Sequence, residues 1–201
     1  MNTIQLTETL GSIAAKDYRI EWETTFSQGF NDWNLDSLID YIITIHHRYA
    51  KENAVIIYDL AQNVASRHSE NHPELIKLAT AIFLFFHDLL NHIKKEEQIL
   101  FPHIKQLVKN KSYSGKGTYT TFGLIKESIN LMQKEHQATG KDLKLFHELT
   151  NDYMLPEDAC NSYKYLFEKM KEFENDLFLH VHLENDILFP KATALDEELT
   201  E

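Results

Sequence analysis

Two pairs of residues in this chain have the types and spacing to bind metal: His92 with Glu96, and His180 with Glu184. Four residues turn an α-helix through about 400°, so each pair shares one face, one turn apart. An imidazole nitrogen and a carboxylate oxygen can then converge on one point between helices. A carboxylate has two oxygens and can bridge two cations. Two such glutamates with several imidazoles make a ligand set for a pair of iron or manganese ions. The faces that carry them are apolar. Leu89, Ile93 and Ile99 or Leu100 flank the first pair, and Leu177, Val181 and Leu188 the second. A charged glutamate on a buried face needs a partner or a metal.

Both pairs sit in a repeat. Asp88 to Pro102 and Asp176 to Pro190 each read Asp-Leu-x-x-His-x-x-x-Glu-x-x-Ile-Leu-Phe-Pro, with 88 positions between matched residues. His47 and His136, 89 positions apart, extend the repeat more weakly to the preceding helices. The chain therefore reads as a helix pair used twice. Such duplication sets equivalent side chains around a common axis, which is how a bundle core acquires a symmetric two-metal site. A single His-x-x-x-Glu is ordinarily an ion pair on a helix surface. Two copies at a matched offset, each followed by Ile-Leu-Phe-Pro, argue for more than that.

Other chemistries lack their residues. There is no His-Glu-x-x-His, and no Glu with His three residues later, which argues against zinc-protease and ferritin-type sites. Neither a covalent haem motif, a glycine-rich phosphate loop nor a Gly-x-Ser-x-Gly elbow appears. Cys160 is the one cysteine, so one chain forms no internal disulfide and no thiolate cluster. The net charge of −11 argues against binding nucleic acid or an anionic membrane. No secretion signal and no apolar run of about 20 residues is present, so a cytoplasmic protein is expected.

The elements that must hold these residues are helices. Apolar spacing predicts four: Leu35 to Ser66 capped by Asn34 or Asp32, Glu74 to Asn110 kinked by Pro102, about Tyr119 to Leu149, and Pro156-Glu157 to about Phe189. Their lengths predict an all-α, up-down-up-down four-helix bundle over residues 31–192. Residues 1–30 form a short extension with a helix expected around Thr7 to Tyr18. Residues 193–201 are expected to be a loose acidic tail.

These residues resemble the haemerythrin-like family and, within it, the repair-of-iron-centres (YtfE/ScdA/DnrN) proteins. The resemblance covers about residues 31 to 192. It rests on Asp32-Trp33 and Leu38-Ile39-Asp40 ahead of His47, on His68, on His92 to Pro102, on Glu135-His136, on Pro156-Glu157 before Cys160, and on His180 to Pro190. It implies the metal ligands His47, His68, His92, Glu96, His136, His180 and Glu184, with the two glutamates bridging. The residues alone support His92, Glu96, His180 and Glu184 best, then His47 and His136. His68 has no repeat partner and rests on the resemblance. His46 competes with His47, which the repeat offset favours. His182 should face away from the site, and Glu135 reads either as part of a polar entry route or as a surface acid. Full-length family members carry an N-terminal domain with an adjacent cysteine pair; the first thirty residues here hold no cysteine, and Leu10-Gly-Ser-Ile reads as a candidate remnant of that domain's first helix.

The cofactor implied is two non-haem iron ions bridged by an oxo or hydroxo group. The activity implied is repair of iron–sulfur clusters damaged by nitrosative or oxidative stress, by iron donation or by binding and reducing NO. The implied partners are NO, O2 or peroxide and damaged iron–sulfur proteins, with no nucleic acid and no membrane; acidic helix faces fit a monomer. The competing readings are a haemerythrin-like O2 carrier or sensor without catalysis, and a structural bundle with incidental histidines.

Overall fold

Asn34 starts the first long helix: its side chain accepts the Ser37 N–H at 2.8 Å. From there the computed structural model, which describes residues 27–112 and 124–200, is helical almost throughout. After a one-turn helix α1 (Ser27–Phe30), the first rod comprises α2 (Leu35–Tyr41), a π turn Ile42–His47 and α3 (Arg48–His68). The second comprises α4 (Glu74–Lys95), a π turn Glu96–Leu100 and α5 (Phe101–Ser112). The third is α6 (Leu124–Thr150). The fourth comprises α7 (Asn161–His182), a π turn Leu183–Leu188 and α8 (Phe189–Glu198). The first rod packs beside the second and the fourth, and the second packs beside the third. The result is the expected all-α four-helix bundle, with no strand among the described residues.

Pro102 and Pro190 are accommodated without ending their helices. Each lies just after a π turn in which the preceding phenylalanine N–H reaches back five residues: Phe101 to the Glu96 carbonyl and Phe189 to the Glu184 carbonyl. The widened register absorbs the missing proline N–H. The fourth helix starts at Asn161 rather than at Pro156-Glu157, because Pro156 to Ala159 close a turn and Cys160 is extended.

The acidic tail is not loose. Helix α8 continues to Glu198, and Phe189, Ala192 and Leu195 are buried. Their spacing is a helical stripe that the surrounding acids mask in a composition reading. The helix expected around Thr7 to Tyr18 and the start of the third helix at Tyr119 lie outside the described residues. The second rod, Glu74–Ser112, is long and apolar enough to cross a membrane. Its stripe from Leu75 through Leu78, Ile82, Phe86 and Leu89 to Ile93 is buried in the bundle core.

Two apolar clusters divide the core. One is built on Ile57, Ile82, Phe86, Phe146, Leu166, Phe173 and their neighbours. The other gathers Leu38, Ile42, Phe101, Ile104, Ile129, Leu188 and Phe189 from the opposite half. The layer between them is polar and buried: His47, His92, Glu96, His136, His180 and Glu184.

Candidate metal centre

Each rod contributes to this layer. His47 closes the first π turn, Glu96 opens the second, and Glu184 sits in the third; His92, His136 and His180 come from α4, α6 and α7. A π turn shifts the following side chains around the helix by part of a turn, and such turns recur at functional sites. Here three of them aim donors from different rods at one place.

The donors form two groups with shared members. One atom each from His47, Glu96, His180 and Glu184 lie within 4.8 Å of one another, as do one atom each from His92, Glu96, His136 and Glu184. The carboxylates join the groups oxygen by oxygen. Glu96 sets Oε2 at 3.4 Å from His47 Nε2 and Oε1 at 3.2 Å from His92 Nε2. Glu184 sets Oε1 at 3.0 Å from His180 Nε2 and Oε2 at 3.2 Å from His136 Nε2. Within each group two imidazoles meet nitrogen to nitrogen: His47 and His180 at 3.1 Å, His92 and His136 at 3.0 Å.

This arrangement fits cations better than it fits its own hydrogen bonds. Both glutamates are fully buried. Among the described residues, both oxygens of Glu96 and Oε2 of Glu184 have no hydrogen-bond partner despite the short ion-pair distances. The donors are aimed at shared points rather than at one another. The electrostatics agree. Burial pulls His47 down, but the neighbouring Glu184 and Glu96 carboxylates outweigh it and take the group up to about 9. Burial opposes protonation of His92 as well, and the Glu96 charge with the Glu135 bond carries it to about 10. Burial prevails at His180, which is lowered. Burial and mutual repulsion push the Glu96 carboxyl up, and the histidines around it hold it down overall; His180, His136 and His47 hold Glu184 further below its ordinary range. The pocket keeps two anions and calls for positive charge, which protons or metal ions can supply.

The outer ring nitrogens are fixed by a set of partners that the sequence reading missed. His47 Nδ1 donates to Glu97 at 2.9 Å, and Glu97 accepts from Lys51 at 2.7 Å. His92 Nδ1 donates to Glu135 at 2.8 Å, and Glu135 pairs with Lys95. His136 Nδ1 donates to the Asn185 carbonyl oxygen at 3.1 Å. Each bond fixes a proton on Nδ1, so that Nε2, once it gives up any proton of its own to an incoming metal, presents its lone pair inward, the usual support of a metal-bound histidine. Glu135 is therefore not a free surface acid. The His92 bond, with Lys95 behind it, holds its carboxyl at about 2. The repeat offered the clue, since Glu97 and Asn185 each directly follow a shared glutamate.

His68 is not in the group. It ends α3, twenty-one residues beyond His47 on the same rod, hence about 30 Å away at the helical rise. Its Nε2 instead meets Cys160 Sγ at 3.1 Å. His46 is buried beside the group: its ring stacks on His180 with centroids 5.7 Å apart, and Nδ1 bonds Asp176. His182 faces away, as expected, toward Asp186 at 2.7 Å.

Residues 38–192 match the family described as the Hemerythrin HHE cation binding domain. The chain belongs to this haemerythrin-like family. It is 36% identical over 164 residues, 80% of this chain and 68% of the relative, to a Haemophilus influenzae protein named "Probable iron-sulfur cluster repair protein". It is 32% identical over 160 residues to the iron-sulfur cluster repair protein ScdA of Staphylococcus epidermidis, covering 80% and 67% of the two chains. It is 31% identical over 183 residues to the iron-sulfur cluster repair protein YtfE of Yersinia pseudotuberculosis, covering 91% and 77%. The family binds cations, and the buried His/Glu layer is the set of side chains in this member suited to that task.

Proposed function

We propose that this haemerythrin-like protein holds two non-haem iron ions and serves in the repair of iron–sulfur clusters damaged by nitrosative or oxidative stress. The observation that carries the reading is the sharing of Glu96 and Glu184, each with one oxygen in each four-donor group. The names of its relatives support the repair role.

The chain's own residues do four things in this reading. Glu96 and Glu184, each with one oxygen in either group, would hold the metal and supply negative charge to it. His47 with His180, and His92 with His136, would offer it their Nε2 atoms. Glu97, Glu135 and Asn185 fix the rings and their tautomer. The two apolar clusters on either side keep bulk water from the layer. Iron held by these donors would supply the capacity to take up NO, O2 or peroxide, or to be released to a damaged cluster. Cluster-damaged iron–sulfur proteins are the macromolecular partners in this scheme.

Iron content and the absorption spectrum test it, on protein reconstituted anaerobically with ferrous iron beside His92→Ala and Glu184→Ala variants. About two irons per chain, lost in the variants, support the centre. No stoichiometric metal would sink it and leave a structural bundle. Turnover of NO with a reductant, or restoration of a damaged cluster, supports the repair role, whereas reversible O2 binding with neither would move the reading to an O2 carrier.

A further inference from the structure

The histidine that lies apart from the metal layer has a chemical partner of its own. His68 Nε2 lies 3.1 Å from the sulfur of Cys160, the chain's single cysteine, which is free and half-buried. Cys160 is the N-cap of the 22-residue helix α7, its side chain makes no capping bond, and it packs at the edge of the apolar core. The unpaired N–H groups of that first turn place partial positive charge beside it. The base is held in position. Its ring packs on Tyr163 with centroids 5.4 Å apart. The nearby His72 is occupied elsewhere, through Asp158 at 2.9 Å and Glu74 at 3.2 Å. A nucleophile within hydrogen-bond reach of a fixed base is the geometry of an activated thiol, and a helix N-terminus stabilises the sulfur anion.

We propose that Cys160 and His68 form a nucleophile–base pair that takes up a small disulfide as a mixed disulfide. The thiol proton passes to His68 Nε2 as Sγ attacks one sulfur of the disulfide. A new S–S bond forms while the old one breaks, and the departing thiolate takes the proton from His68. Cys160 ends oxidised to the disulfide level, and half of the small disulfide ends reduced to a thiol, so electrons and protons balance without another reactant. The pair sits at the end of the bundle remote from the His/Glu layer, so the proposal stands independently of the di-iron reading.

Because the chain has one thiol, every signal from a thiol reagent reports on Cys160. The wild-type chain, Cys160→Ser, His68→Ala and His68→Gln are mixed with Ellman's reagent and, separately, with oxidised glutathione between pH 6 and 8. Circular dichroism checks the fold. The expected result is one glutathione adduct per chain by mass, absent from Cys160→Ser. The wild-type rate at pH 6.5 should exceed that of free glutathione, and His68→Ala should lower it about 10-fold. That is less than the roughly 10²–10⁴ of general-base catalysis, because a thiol is partly ionised unaided. His68→Gln keeps a polar side chain against the sulfur without a comparable base, so it must slow as well, and it carries the test if His68→Ala fails to fold. A glutamine variant that reacts like wild type overturns the proposal, as does a wild-type rate at or below that of free glutathione. A thiol silent until a chelator is added also overturns it, and identifies the pair as metal ligands instead.

Discussion

Glu184→Gln separates a bridging carboxylate from an ordinary buried acid. Glutamine keeps the shape but loses the charge and one of the two anionic oxygens. Because Oε1 serves the His47/His180 group and Oε2 serves the His92/His136 group, the substitution weakens both ion positions at once. His180→Gln removes a donor from one group only. The size of the difference follows from linkage. At free ferrous ion 100 times the dissociation constant, each bound ion stabilises the fold by about 2.7 kcal/mol, hence about 5.4 kcal/mol for two. A chain of this length gains about 2–4 °C in Tm per kcal/mol, so metal should raise the wild-type Tm by about 11–22 °C. If one lost donor weakens an ion about 100-fold, its contribution at the same concentration falls to about 0.4 kcal/mol. Glu184→Gln should then show a shift of under about 4 °C, and His180→Gln roughly half the wild-type shift. Anaerobic differential scanning calorimetry with and without ferrous ion reads all three, each against its own metal-free baseline. Equal losses in the two variants, or a full shift in Glu184→Gln, would refute the shared-carboxylate geometry.

Three further outcomes are expected. Metal uptake at pH 7 should release about two protons per chain, since His47 at about 9 and His92 at about 10 are protonated in the metal-free pocket; calorimetric titration in buffers of different ionisation enthalpy measures this, and no buffer dependence would contradict it. Glu97→Ala and Glu135→Ala should each lower metal affinity about 10–100-fold while leaving all six inner side chains in place, measured by competition with a chelator of known affinity. His147 is raised in the folded state, first by its Glu174 bond, with burial opposing. Its contribution to stability is therefore complete below the ordinary imidazole range and fades as pH rises through the raised value, so urea unfolding of wild type minus His147→Gln should narrow from pH 6 upward; a difference that widens would reverse the assigned sign.

The tail supplies a packing test. Leu195 is 8% exposed within helix α8 and belongs to the cluster with Phe189, Ala192 and Leu188. Truncation to alanine there should cost about 2–3 kcal/mol, the lower part of the range for buried leucines, by chemical denaturation. A loose tail would give a change near zero.

How much of this was legible depends on how far a contact reaches along the chain. His92/Glu96 and His180/Glu184 are one-turn neighbours, and their repeat made them readable before any fold was known. His136 and His47 needed only the same duplication. His68 failed on a point that helix geometry already contains: a residue twenty-one positions along one straight rod cannot return to the place His47 occupies. The π turns were not readable, because their register is decided by packing across rods and, in the second and third, by competing carbonyls around Pro102 and Pro190, not by local preference. The supporting partners were readable in part. Glu97 and Asn185 occupy matched places in the repeat and bind matched histidines, His47 and His136. Glu135 and His46 also match, each preceding one of those histidines, yet Glu135 bonds His92 while His46 stacks on His180. The inner donors thus obey the duplication and the outer ones break it. Each group keeps one histidine backed by a carboxylate and one that is not, but the neighbour of the second is an amide on one side and a stacked imidazole on the other. Two ions held by equal inner donors would therefore stand in unequal surroundings, and the outer residues rather than the ligands are where this chain distinguishes them.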